Sequence, residues 1–157
     1  VTQEVTRELV ELADVARASL TSSDWARLRD FTNRINAHNG PFAERVPPKR
    51  REDGALVMGY TAVGPLIMEL LPLAYDLKLV VPFAWPDWEE GRQLINSQPF
   101  DAATLTWEQT VGLFTALIRG DRFSEGSLAQ VFGDGRMPRL MERLLDFAPE
   151  GGEAAGM

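Results

Sequence analysis

Residues 106–120 read T-W-E-Q-T-V-G-L-F-T-A-L-I-R-G. Thr106 and Gln109 stand three apart at the front, the spacing of a capping box in which each side chain takes the other's backbone N–H. Behind them Trp107, Val111, Phe114, Leu117 and Ile118 recur at helical intervals and define one apolar face. Gly120-Asp121 closes the element. The period is that of a helix, and most of the chain repeats it.

Upstream, Val5, Leu9, Leu12, Ala16 and Leu20 follow at spacings of four, three, four and four, which predicts a first helix. Thr21-Ser22-Ser23 breaks it and caps a second, whose apolar face is Trp25, Leu28, Phe31 and Ile35 and which ends at Asn39-Gly40-Pro41. The two read as an antiparallel pair. From Pro41 to Gly54 the chain reads as a polar connection, because Pro47-Pro48 cannot be helical and Lys49-Arg50-Arg51 needs water. A connection this long in a compact domain points to mobility or function. Thr61 is the expected N-cap of a helix to about Leu77, with Leu66, Leu70, Leu73 and Leu77 inward and Pro72 interrupting it.

Pro86 suits the first turn of a helix through Ile95. Downstream of residue 120, helices are expected at about Ser124 to Phe132, before Gly133-Asp134-Gly135, and around Leu140, Met141, Leu144 and Leu145. The expectation is an all-α fold of six or seven helices. At most one short β piece is expected, near Ala55–Tyr60 and Leu79–Val81. A single helical domain would occupy residues 1–150, with a small-residue tail at 151–157.

Composition narrows the function classes. The 157 residues are 45% hydrophobic and 25% charged, a globular balance that needs no covalent staple. A formal charge of −7 argues against a general nucleic-acid or anionic-membrane coat. Residues 54–118 hold two bases and seven acids, so the middle third is the acidic one. With no cysteine and one histidine, thiolate nucleophiles, zinc fingers, iron–sulfur clusters and multi-histidine metal sites are excluded. His38 reads as a helix-terminal residue. The apolar run from Leu77 to Phe83 is too short to cross a bilayer, and no leader pattern is visible. A cytoplasmic protein without membrane contact is expected.

Catalytic signatures are missing: no Walker loop, no dinucleotide-binding glycine turn, no nucleophile elbow. No catalytic residue, metal or cofactor is assigned. Two constellations remain. Arg119, Asp121, Arg122 and Glu125 alternate in sign at a helix-to-helix turn. They read first as an ion network that fixes two helices, with Phe123 anchoring the turn, and second as a site where arginine forks hold an anionic ligand. Phe83, Trp85 and Trp88, interleaved with Pro82 and Pro86, form an aromatic cluster with Phe123. Packing is the first reading there and a partner surface the second.

These same residues carry a resemblance. P-F-A-W-P-D-W at 82–88 and R-G-D-R-F-S-E-G-S-L-A-Q-V-F-G-D-G at 119–135, before a leucine-rich last helix, resemble a family of small bacterial proteins known only as a domain of unknown function. Its pattern is F-D-W-x-x-W followed by R-x-D-R-F-x-E-G-x-L. The resemblance spans about residues 60–147, and the first two helices match more loosely. It singles out Phe83, Trp85 and Trp88, then Arg119, Asp121, Arg122, Phe123, Glu125, Gly126 and Leu128. Ala84 stands where the family has aspartate. Loss of a helix cap, worth about 1 kcal/mol, accounts for that departure. The resemblance brings no activity, cofactor or partner.

Three functions follow in order. The first is a non-catalytic binding or protein-interaction module, for which a homo-oligomer is one form of partner. The second is an enzyme or small-ligand protein that binds an anion at the Arg119–Glu125 turn. The third is a helix-turn-helix within Ser124–Leu145 that presents Arg136, Arg139 and Arg143 to DNA; the acidic charge and Pro138 weigh against it.

Overall fold

A computed structural model describes residues 2–121 and 126–149. It holds seven helices among the described residues: α1 Thr2–Ser19, α2 Ser22–Ala37, α3 Pro65–Asp76, α4 Glu89–Ile95, α5 Trp107–Gly120, α6 Ser127–Gly133 and α7 Arg136–Asp146. The expected mostly helical fold is the observed one.

Helix α5 is the centre. Residues Thr110 to Thr115 are all buried, so this helix meets protein on every side and not on one stripe. Its front end carries the expected capping box, with Thr106 and Gln109 exchanging bonds at 3.1 and 2.9 Å. Helix α1 packs against α5, α2 against α7, and α7 also against α5. The first two helices therefore take their main partners from the C-terminal half, where the broad apolar faces of α5 and α7 lie, and not from each other as expected. Val5, Leu9 and Ala16 are buried as their spacing predicts, joined by Ala13, while Leu12 and Leu20 are only half-buried. Helix α2 has its own capping box, between Thr21 and Asp24.

Residues 41–54 are not the open connection expected. Strand β1 (Ala43–Val46) pairs antiparallel with β4 (Tyr60–Val63), Ala43 opposite Val63. Further out β2 (Lys49–Arg50) pairs with β3 (Leu56–Val57). Pro47-Pro48 divides the first side, because proline cannot donate to a ladder, and the arm splits into two short two-stranded pieces. Its root is held by Phe42, whose ring lies 5.2 Å from that of Phe132 on α6. Thr61 belongs to β4 and does not cap α3; the chain enters that helix through Gly64 and Pro65, where a missing N–H costs nothing. Pro72 sits inside α3, which runs on to Asp76.

Leu79–Val81 forms no strand. The backbone there is satisfied from α5 instead: Val81 N–H donates to Thr115 Oγ1, and the Thr115 hydroxyl donates to the Leu79 carbonyl. Pro86 lies in a 3-10 turn, Trp85–Asp87, and α4 begins three residues after it.

Candidate functional site

The aromatic segment 82–88 leads from the end of α3 into α4 and covers one side of α5. Phe83 and Trp88 are buried, and their rings meet edge to face at 5.5 Å. Trp88 is the deeper, at 1% exposed. Two glycines make room for its indole. A Cβ on Gly112 of α5 would stand 2.6 Å from its Cη2, and a Cβ on Gly91 of α4 would also collide with the ring. Trp85 is half-buried and lies along Gly120, where a Cβ would be 3.8 Å from Cη2. The structure thus brings the aromatic segment to the end of α5 that carries Arg119-Gly120-Asp121.

Beside these rings lies a cleft of about 310 Å3, walled chiefly by Trp85, Pro86, Trp88, Ile95, Leu113 and Leu117. That is the lower end of the small-molecule range. Arg92 supplies charge at its lining, where the side chain is exposed and paired with Glu89 at 2.8 Å. Trp88 Nε1 is, among the described residues, the one buried side-chain polar atom without a hydrogen-bond partner. A buried indole N–H ordinarily finds one. Trp107 does so, donating to the Ala13 carbonyl at 2.8 Å. Ala84 is exposed and takes the N-cap position of the 3-10 turn with no side-chain bond; its N–H donates to Glu8 of α1 at 3.2 Å.

Of the charged constellation, Arg119 and Asp121 are described; Arg122, Phe123 and Glu125 lie outside the described residues, as does the 151–157 tail. Asp121 Oδ1 accepts from the Leu128 N–H at 3.0 Å and from the Ser127 hydroxyl at 3.4 Å. One carboxylate therefore ties the end of α5 to the first turn of α6. Arg119 is half-buried.

Two of the three arginines assigned to a DNA-reading helix turn inward. Arg136 donates to Asp134 and to the Ile95 carbonyl at 3.2 Å. Arg143 donates twice to the Leu105 carbonyl, at 3.0 and 2.8 Å, and its guanidinium lies 4.5 Å from the Phe147 ring centre. His38 is the C-cap of α2, with Nε2 3.1 Å from the Pro41 carbonyl. Among the described residues no group of three or more His, Cys, Asp or Glu is placed to hold a metal ion, and no helix is long and apolar enough to cross a membrane.

Sequence reasoning passed over Gly91, Gly112 and Leu113, and used Ile95 only as the end of a helix. The available signal was Gly112, a glycine inside a strongly helical stretch, which marks close packing.

No curated protein and no solved structure shows significant similarity to the chain. The profile of a family of unknown function, DUF6508, matches residues 20–150, from the start of α2 past the end of α7. With most of its length matched, the chain belongs to the DUF6508 family of unknown function.

Proposed function

We propose that the protein is a non-catalytic binding module whose ligand is a small, flat, largely apolar molecule held in the cleft between the 82–88 segment, α4 and α5. The observation that carries this reading is the cleft itself, walled by the Trp85 and Trp88 rings, Pro86, Ile95, Leu113 and Leu117. The aromatic rings and Pro86 favour a planar ligand. The Arg119–Glu125 anion reading draws less support, because Asp121 is already committed to α6. The DNA reading draws less again, with Arg136 and Arg143 bonded within the chain.

Acetophenone and ethylbenzene test the proposal, since both are flat, largely apolar and small enough for the cleft. Titration followed by protein NMR should show both displacing the resonances of Trp85, Ile95 and Leu117. Absence of binding by either compound would overturn the reading.

A further inference from the structure

Among the described residues, every exposed large apolar side chain except Val15 falls between Leu56 and Tyr75. Leu56, Met58 and Tyr60 lie on the arm, and Met68, Leu71 and Tyr75 on α3. The last three stand three and four apart, so they form one exposed stripe on α3, about 100° round the helix from the buried Ile67, Leu70 and Ala74. A helix whose apolar arc reaches well beyond its buried stripe, following in the chain an arm whose outer part is exposed, is more apolar surface than one core requires.

Charge selects the occupant. The β2 strand presents Lys49 and Arg50, and the β2–β3 hairpin holds three bases against two acids, Glu52 and Asp53 in its turn, whereas α3 carries Glu69 and Asp76 and no base. Two copies of α3 laid against each other would bring like charges together. An arm laid on α3 brings opposite ones. The α3 carboxylates are bonded to Arg34 and Arg27 of the same chain, remain roughly half exposed, and have lone pairs to spare.

We propose that two copies of this chain form a two-fold dimer in which the arm of each lies across α3 of the other. Leu56, Met58 and Tyr60 of one copy then cover Met68, Leu71 and Tyr75 of its partner, and Lys49 and Arg50 approach Glu69 and Asp76. The contact is isologous, since each surface meets its complement twice. Exposed fractions of 37% to 70% on six large side chains supply several hundred Å2 per copy, on the order of the ~800 Å2 of a standard interface. Ordering against a partner also stabilises an arm built from two-stranded pieces that are marginal alone. None of these residues lines the cleft of the proposed ligand.

The absence of cysteine gives a clean test. Light scattering on the intact chain should return twice the monomer mass, and Met68→Glu with Leu71→Glu should return one. Met58→Cys and Leu71→Cys chains, mixed and oxidised, should join as disulfide-linked dimers, whereas neither variant should join to itself. The mixing experiment stands even where the double glutamate variant fails to fold. A monomeric intact chain would overturn the proposal. So would a Leu71→Cys chain that cross-links to itself in preference to Met58→Cys, which is the signature of helix on helix.

Discussion

Val81 donates its backbone N–H to the Thr115 hydroxyl at 3.1 Å, and that hydroxyl donates in turn to the Leu79 carbonyl at 3.2 Å. One buried side chain thus satisfies both backbone groups of a segment that has no strand partner. Thr115→Val keeps the shape and strands both groups, so it should cost about 1–3 kcal/mol. Thr115→Ser keeps the hydroxyl and loses one methyl, worth about 0.8 kcal/mol. Urea unfolding of the two variants should rank them in that order. A valine variant as stable as the parent would show that the hydroxyl satisfies nothing the solvent does not.

Gly112 and Gly133 are both helical glycines with opposite surroundings. At Gly112 an added Cβ meets Trp88 and Leu9 at 2.6 and 2.8 Å; at Gly133 it meets nothing within 4 Å. Alanine gains up to about 1 kcal/mol over glycine in a helix, and overpacking costs about 1–3 kcal/mol. Gly112→Ala should therefore lower the melting temperature and weaken acetophenone binding, because the Trp88 ring must move. Gly133→Ala should raise the melting temperature slightly. Two changes of the same sign would remove the steric account of Gly112.

The helices were legible because their signals are local. Thr106 with Gln109, and the period through Val111 and Phe114, announce α5 within one stretch of chain. Thr21 does the same for α2. The arm was half legible: a β piece is expected near Ala55–Tyr60, where β3 and the start of β4 lie, but its partners at 43–46 and 49–50 are not, since β1 and β4 are separated by more than a dozen residues and the prolines between them read as breakers. Leu79–Val81 looked extended for a sound reason, but its partner is a threonine side chain and not a strand. Pro86 was placed at the right end of the right element, one 3-10 turn early. As for the candidate site, the aromatic residues were visible and the cleft was not. What makes it a cleft is the meeting of Trp88 with Gly91 and Gly112, two glycines that lie on different helices.

Asp121 separates a structural role from a ligand-binding one. Its carboxylate holds the Leu128 N–H at the front of α6, the work of a helix cap supplied from seven residues away. Asp121→Ala should cost about 1 kcal/mol of stability, in the range of a lost cap, and Asp121→Asn, which keeps an acceptor oxygen, should cost less. Guanidinium unfolding of the pair decides it. Equal losses in both variants would mean that charge, and not the cap bond, is what Asp121 contributes.

Asp134 sets an acid limit on the junction of α6 and α7. Partial burial pushes its carboxyl upward, but bonds from the Arg136 side chain and backbone, with the charges of Arg136 and Arg139, outweigh burial and hold it below its ordinary 3.8. A carboxyl depressed in the folded state contributes stability that is complete above its unfolded value and is lost as pH falls through the folded one. The loss should therefore begin below about pH 5 and deepen on further acidification. Other carboxyls titrate in the same range, so the informative quantity is the difference between the parent and Asp134→Asn, whose amide does not ionise. That difference should favour the parent at neutral pH and shrink as acid is added. Arg136 also donates to the Ile95 carbonyl at the end of α4, so protonation of Asp134 should loosen the wall of the cleft as well. Acetophenone affinity in the parent should decline over the same pH range and stay flat in Asp134→Asn. A stability difference that is constant with pH would show that Asp134 contributes nothing through its charge.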